Sequence, residues 1–259
     1  MPAVLLLLFL SLTIPARGED SHAPTVEGGK LRPGWELAFH DDFDGKTLDY
    51  DKWTPKDPWG VVRNDELQGY WIKAFHPADG ILKIEAEYEP SFYDGAKREY
   101  RSGMMTTSGK FSQQFGRFEI RCKVPDGKGL WPAFWLLPDP PAWPPEIDFL
   151  ELPGHEPKKV YMSLHWPHRT QQDESESVTE EFSGPDFSKE FHTFAIEWEA
   201  DEIRWYIDDE LRSTQTEHIP EQPMFMLVNL AIGGWAGEPD ESVFPVVFEV
   251  DFVKVWRKY

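Results

Sequence analysis

Residues 146–151 read Glu-Ile-Asp-Phe-Leu-Glu. Glu146, Asp148 and Glu151 place three carboxylates in an otherwise apolar stretch, just after the aromatic segment Gly129-Leu130-Trp131-Pro132-Ala133-Phe134-Trp135. Two carboxylates flanking one bond, beside aromatic rings, are the equipment for glycoside hydrolysis. One acid protonates the leaving oxygen, and the other attacks the sugar or activates water.

The elements that carry these groups follow from alternation. Apolar Ile147 and Phe149 alternate with Glu146 and Asp148, the pattern of a strand with one face in a core and one bearing acids. In an unbroken strand Glu151 would point into the core, and burying an unpaired carboxylate costs several kcal/mol. One extra residue, a β-bulge near Phe149–Leu150, returns Glu151 to the acidic face and sends Leu152 inward. Glu146 and Glu151 then share a cleft with Asp148 between them. A retaining mechanism needs the two carboxyl groups about 5–5.5 Å apart, which this spacing allows. An acidic, solvated edge strand is the plain alternative. The third acid, the aromatic lead-in and the core-facing Ile147 and Phe149 weigh against it.

The rest of the chain reads as short alternating strands separated by Gly, Pro and Asp turns, with no convincing long amphipathic helix. Leu82, Ile84 and Ala86 face one way, as do Phe194, Ile196 and Trp198. Ile203, Trp205 and Ile207 follow, closed by Asp208-Asp209 as a hairpin turn. The end, Phe248-Glu249-Val250-Asp251-Phe252-Val253, is another strand. Pro138 to Pro145 should form a stiff loop ahead of the acidic strand. Tyr161 to Gly184 reads as a strand followed by a long exposed loop. This is an all-β sandwich pattern.

Glu146-Ile147-Asp148-Phe149-Leu150-Glu151, preceded by Trp131-Pro132-Ala133-Phe134-Trp135, resembles the signature of glycoside hydrolase family 16, in its bulged-strand, laminarinase-like branch. The match extends to Thr106-Thr107-Ser108-Gly109-Lys110-Phe111, to Phe115-Gly116-Arg117-Phe118-Glu119, to His192–Trp198 with Ile203–Asp208, and to Asn229–Gly234. Together these cover roughly residues 33–259. The resemblance implies a concanavalin A-like β-jelly roll with a concave substrate cleft. It implies Glu146 as nucleophile, Glu151 as general acid/base and Asp148 as the residue that orients Glu146. It places His165 and Asn64 in the cleft, and Trp235 as a stacking residue. Relatives often carry Asn before that Trp, and this chain does not. Trp131 and Trp135 differ by four, so on one strand they share a face; both line the cleft, or one anchors the core. Arg101 could contact a substituted sugar or form a surface ion pair. The resemblance also implies a structural calcium away from the cleft, with the Asp251 carboxylate and the Gly45 carbonyl as ligands. No cofactor is required for the chemistry.

Composition bounds the partners. The 259 residues suit one large all-β domain behind a leader. A net charge of −20 repels nucleic acid and anionic membranes, and disfavours a sulfated polysaccharide. The 12 Trp exceed what a core of this size usually demands, which hints at sugar stacking. Cys122 is the sole cysteine, so no internal disulfide exists; its alternation with Phe118 and Ile120 marks it as buried and inert. The apolar run Val4–Leu12 is too short to span a membrane, and Ala16-Arg17-Gly18 offers a cleavage site. The expected organisation is a signal peptide over 1–18, a short leader over 19–32 and a catalytic β-sandwich over 33–259. The expected protein is a monomer, secreted or periplasmic, free of the membrane after cleavage. Its expected activity is retaining endo-hydrolysis of β-1,3-glucan. Three alternatives stand: a non-catalytic glucan-binding protein, a cell-wall transglycosylase, or a relative acting on another β-glycan such as a marine galactan.

Overall fold

The computed structural model describes residues 34–170 and 174–259. The expected signal peptide, the leader and Pro33 lie outside the described residues. Among the described residues the only helical elements are two single-turn 3₁₀ segments, Gly234–Ala236 and Glu241–Val243. No helix there is long and apolar enough to cross a membrane.

The chain folds as an all-β jelly-roll sandwich. One sheet has six strands, in the spatial order Ser175–Ser183, Lys159–Pro167, Glu146–Glu151, Leu130–Pro138, Met224–Ile232, Met104–Thr106. The other has eight. Its main path runs Glu210–Gln215, Ile203–Ile207, His192–Trp198, Gly116–Lys123, Val246–Lys258, Ile81–Ala86, Phe75–Ala78, and Trp35–Asp41 also pairs with Val246–Lys258. A single large apolar cluster joins the inner faces, with Phe134, Ile147, Leu164 and Val228 from the first sheet meeting Phe118, Ile120, Ile196 and Val253 from the second.

Alternation decides which residues enter that core. In Leu130–Pro138, Leu130, Phe134 and Leu136 are fully buried, while Trp131, Ala133, Trp135 and Leu137 line the opposite, cleft face. Each large apolar side chain withdrawn from water contributes about 1.5–3 kcal/mol. A smaller cluster of Tyr70, Met104, Leu137, Phe225 and Leu227 covers one end of the cleft face. The predicted turn at Asp208-Asp209 forms with both residues at positive φ, 53° and 62°, which suits a tight hairpin following the strand twist. Cys122 is buried in the core, and desolvation pushes its thiol pKa well up, so it stays protonated and unreactive.

One element differs from expectation. The segment read as a long loop forms a hairpin: Lys159–Pro167 pairs with Ser175–Ser183 from Lys159↔Ser183 to Pro167↔Ser175. Ser175–Ser183 is an edge strand whose packing against the core is confined to Val178 and Phe182. Its outward residues are polar because they face water, so the sequence carries almost no apolar alternation there.

Candidate active site

The acidic strand carries the expected bulge. Against Lys159–Pro167 the register runs Glu146↔His165, Ile147↔Leu164, Asp148↔Ser163, then shifts to Glu151↔Tyr161. Against Leu130–Pro138 it shifts between Phe134↔Leu150 and Trp135↔Asp148, leaving Phe149 as the extra residue. Phe149, Leu150 and Leu152 all reach the core, and the Phe149 ring packs 4.2 Å from Phe134. Burial of both Phe149 and Leu150 is what turns Glu151 back to the side of Glu146 and Asp148. The backbone carbonyl of Asp148, at the start of the bulge, accepts a hydrogen bond from Trp205 Nε1–H at 2.9 Å. Trp205 belongs to the opposite sheet, so the second layer holds the bulge from behind.

The neighbouring strands supply the surroundings in register. Trp131 Nε1–H donates to Glu151 Oε1 at 2.9 Å. His165 Nε2 lies 3.4 Å from Asp148 Oδ2 and 3.9 Å from Glu146 Oε1. Trp135 Nε1–H donates to Asn229 Oδ1 at 2.7 Å, which fixes the indole across the cleft floor. Trp235 is half exposed and meets Trp131 and Tyr161 edge-on, with ring centroids 5.5 and 4.8 Å away. The glycines before it are required: Gly234 sits at φ 52°, and a Cβ there would come within 2.4 Å of the Asn64 carbonyl.

These groups line one cleft of about 910 Å³. It holds Glu146, Asp148, Glu151, Asn64, Trp131, Trp135, His165 and Trp235, the full set read from the sequence as catalytic or sugar-binding. Asp251 and Gly45 do not line it. Arg101 is also outside, ion-paired with Glu89 at 2.9 Å and lying over the Trp71 ring, so the surface ion pair is the arrangement found. The cleft adds residues that sequence reasoning had passed over: Glu66, Tyr70, Tyr161, Ser163 and Thr179. Glu66 accepts from Gln68 Nε2 at 2.5 Å and from the Tyr70 hydroxyl at 3.2 Å, and Gln68 Oε1 in turn accepts from the Ile232 amide. Tyr161 and Ser163 become identifiable only once their strand is known to pair with Glu151 and Asp148.

The electrostatics are one-sided. Burial, then the Asp148 charge, push Glu146 well above the ordinary carboxylate range, with His165 opposing. Burial, then Glu151, do the same to Asp148, and its hydrogen bond with Glu146 pulls the other way. Burial raises Glu151 to about 7, against the Trp131 N–H and His165. Three carboxyls in so small a volume resist being charged together, so burial and mutual repulsion favour a proton on the hydrogen-bonded Glu146–Asp148 pair, and Glu151 holds its own up to about pH 7. A cleft with one acid still protonated at neutral pH and a second carboxylate beside it can protonate a leaving oxygen and attack the adjoining carbon.

The calcium expectation meets a competing contact. The Asp251 carboxylate is ion-paired with the Arg121 guanidinium.

Comparison with known proteins places the chain. A family model described as "Glycosyl hydrolases family 16" matches residues 74–253. The chain is 38% identical to a protein named "Beta-glucanase" from Rhodothermus marinus, over 87% of this chain and 86% of that protein. It is 36% identical to "Endo-1,3-1,4-beta-glycanase EglC" from Rhizobium meliloti, over 84% of this chain but 51% of that one. Among solved structures, the catalytic domain of an endo-1,3-beta-glucanase (laminarinase) from Thermotoga petrophila superposes with a TM-score of 0.79 at 34% identity, covering 86% of this chain and 98% of that domain.

Proposed function

The chain belongs to glycosyl hydrolases family 16, and from that premise we propose that it cleaves neutral β-1,3-linked glucan of the laminarin type from within the polymer, retaining the anomeric configuration. The observation that carries the reading is the bulge, which sets Glu146 and Glu151 on one face of the cleft with Asp148 between them. The beta-glucanase and endo-1,3-beta-glucanase names of its relatives support the same reading. The 1,3 linkage is common to the names of the Rhizobium and Thermotoga proteins.

In the first step Glu151 gives its proton to the glycosidic oxygen while Glu146 attacks the anomeric carbon. The carbon–oxygen bond breaks, the freed sugar leaves as an alcohol, and a glycosyl ester forms on Glu146. Water then enters, Glu151 takes its proton, and the hydroxide portion displaces Glu146. Asp148 accepts the proton it shares with Glu146, which leaves the nucleophile ionised, and His165 stabilises the remaining charge. Trp131 holds Glu151 in place through its indole N–H. Trp235, Trp131 and Trp135 offer the flat faces on which pyranose rings stack.

The lining favours a neutral polymer. Asp57, Glu66 and the three acids face the cleft, and its one Arg, Arg63, is ion-paired with Asp57 at 2.6 Å. A sulfated galactan would meet uncompensated like charge. The complete carboxylate set also disfavours a purely recognition role. We further propose export through the apolar segment at residues 4–12.

The experiment is a panel of laminarin, mixed-linkage glucan, agarose, porphyran and carrageenan, with products sized over time. Oligosaccharides of intermediate length from laminarin are expected. Release from a sulfated galactan alone would overturn the substrate, and no release from any would favour a binding protein. Longer products at high oligosaccharide concentration would indicate transglycosylation. Azide separates the roles of the two glutamates. Glu151→Gln acting on an activated aryl glycoside should yield the β-azide, and Glu146→Gln the α-azide. The opposite products would reverse the assignment.

A further inference from the structure

We infer that Glu146, Asp148 and His165 together form a binding site for a transition-metal dication of the Zn²⁺ type, which would occupy the cleft in place of sugar. The inference concerns binding and stands whether or not the proposed hydrolysis is correct. One ligand atom from each of the three residues lies within 4.8 Å of the others, the only such group of three among the described residues. Strand geometry makes the cluster. Glu146 and Asp148 are two apart on one strand and so share a face, and His165 is the register partner of Glu146 on the next strand.

The His165–Asp148 separation is one an ion requires, and the His165–Glu146 separation is slightly longer. Zn²⁺ holds nitrogen and oxygen ligands at about 2.0–2.2 Å, and in a tetrahedron this places neighbouring ligand atoms about 3.3–3.6 Å apart. His165 Nε2 lies 3.4 Å from Asp148 Oδ2 and 3.9 Å from Glu146 Oε1. The second distance closes with a small side-chain rotation, because the Glu146 side chain is partly exposed.

An independent observation points the same way. Asp148 is 4% exposed, and its Oδ2 is buried with no hydrogen-bond partner. That oxygen is aimed at the His165 nitrogen across a gap longer than a good hydrogen bond. A buried carboxylate oxygen left unpaired costs free energy, and a cation between it and the imidazole would recover it. Imidazole with carboxylates suits zinc and copper; calcium and magnesium select oxygen-only cages. All three residues line the cleft, so an ion held among them sits beside the space the sugar would fill. An ion there engages the oxygens of Glu146, and ion and substrate exclude each other.

The test is calorimetric titration of the intact protein with zinc chloride in a non-chelating buffer. One tight site per chain is expected. His165→Gln and Asp148→Asn, each checked for native circular dichroism, should weaken it by about tenfold or more, the range seen when the support of a metal site is removed. His76→Gln, on the other sheet where His76 pairs with Glu85, should leave it unchanged. A saturating laminari-oligosaccharide should suppress the titration. Where hydrolysis is measurable, zinc should raise the apparent KM without changing kcat. The inference is overturned if no zinc binds at about 1 mM, if the tight site survives both His165→Gln and Asp148→Asn, or if calcium binds equally well. Zinc binding without hydrolysis of any polysaccharide would sink the proposed function and leave the metal site standing. Hydrolysis without zinc binding would do the reverse.

Discussion

Each sheet buries a group of charges on its outward face, and the two groups are built on opposite principles. On the eight-stranded sheet Arg117, 1% exposed, is surrounded by Glu119 at 2.9 Å, Glu197 at 3.4 Å and Asp209 at 2.8 Å. Trp256 Nε1 donates to Glu119, the Tyr206 hydroxyl donates to Glu197, and Arg204 adds a second guanidinium at 3.2 Å from Glu197. On the six-stranded sheet Glu146, Asp148 and Glu151 share one histidine, and no Lys or Arg is paired with any of them among the described residues. The first group is compensated and bonded, the condition under which buried ions persist as structure. The second is left short of cations, so its members hold protons that solvent-exposed acids would have lost. That deficit is what a general acid needs, and it supports the proposal that chemistry occurs on the six-stranded face.

The comparison breaks most sharply at Glu146. Glu146→Gln should lower kcat on laminarin by about a thousandfold or more, because the covalent step is lost. Its melting temperature should hold or rise, since one buried like charge is gone. A fall in activity of less than tenfold would show that this face is not where the chemistry occurs.

Arg117→Met should do the converse. Removing one partner of a buried ion network costs about 3–5 kcal/mol, which for a domain of this size lowers the melting temperature by roughly 6–20 °C. The KM and kcat of the folded fraction should not move. Thermal unfolding and initial rates on the same preparation decide it, and a kinetic defect without a stability defect would erase the contrast.

The proton on Glu151 gives a subtler test. Its folded pKa of about 7 stands above the ordinary 4.5. A raised carboxyl favours the folded state most below about pH 4.5, and that contribution drains away as pH climbs from there through about 7. The shift corresponds to on the order of 3 kcal/mol. Stability attributable to this group should therefore decline between pH 5 and pH 8 in the native chain, and Glu151→Gln should flatten that decline. Over the same interval kcat/KM should fall above about pH 7, as the acid form is lost. A stability profile identical in native and variant chains would mean that the Glu151 proton is not bound more tightly on folding.

The smallest effect joins the two sheets. Trp205→Phe keeps the ring in the core and removes the N–H that the Asp148 carbonyl accepts. A lost buried hydrogen bond costs about 1–3 kcal/mol. Because the bond holds the bulge, kcat should drop several-fold with KM little changed. Loss of stability with an unchanged kcat would show that the bulge is held by its own packing.

Much of the site is legible in the sequence. Alternation of Ile147 and Phe149 with acids defined the strand, and the odd spacing of Glu151 demanded a bulge, because a period of two admits no other way to keep that carboxylate out of the core. The hairpin turn at Asp208-Asp209 and the burial of Cys122 followed from the same local rules. Ser175–Ser183 escaped, since an edge strand with two inward apolar residues has almost no hydrophobic period to detect.

The sequence by itself determined the face each acid occupies, because side-chain direction along a strand is a local property of the backbone. It also carried the acidity of the whole and the aromatic excess. Only the tertiary structure decided which residues meet across strands. His165 beside Glu146, Tyr161 beside Glu151, and Trp205 behind the bulge come from segments distant in the chain, and register between such segments is set by the packing of both sheets around one core. The protonation of the acids was decided there too. A carboxyl's pKa reports its depth and its neighbours, and both exist only once the sandwich has closed.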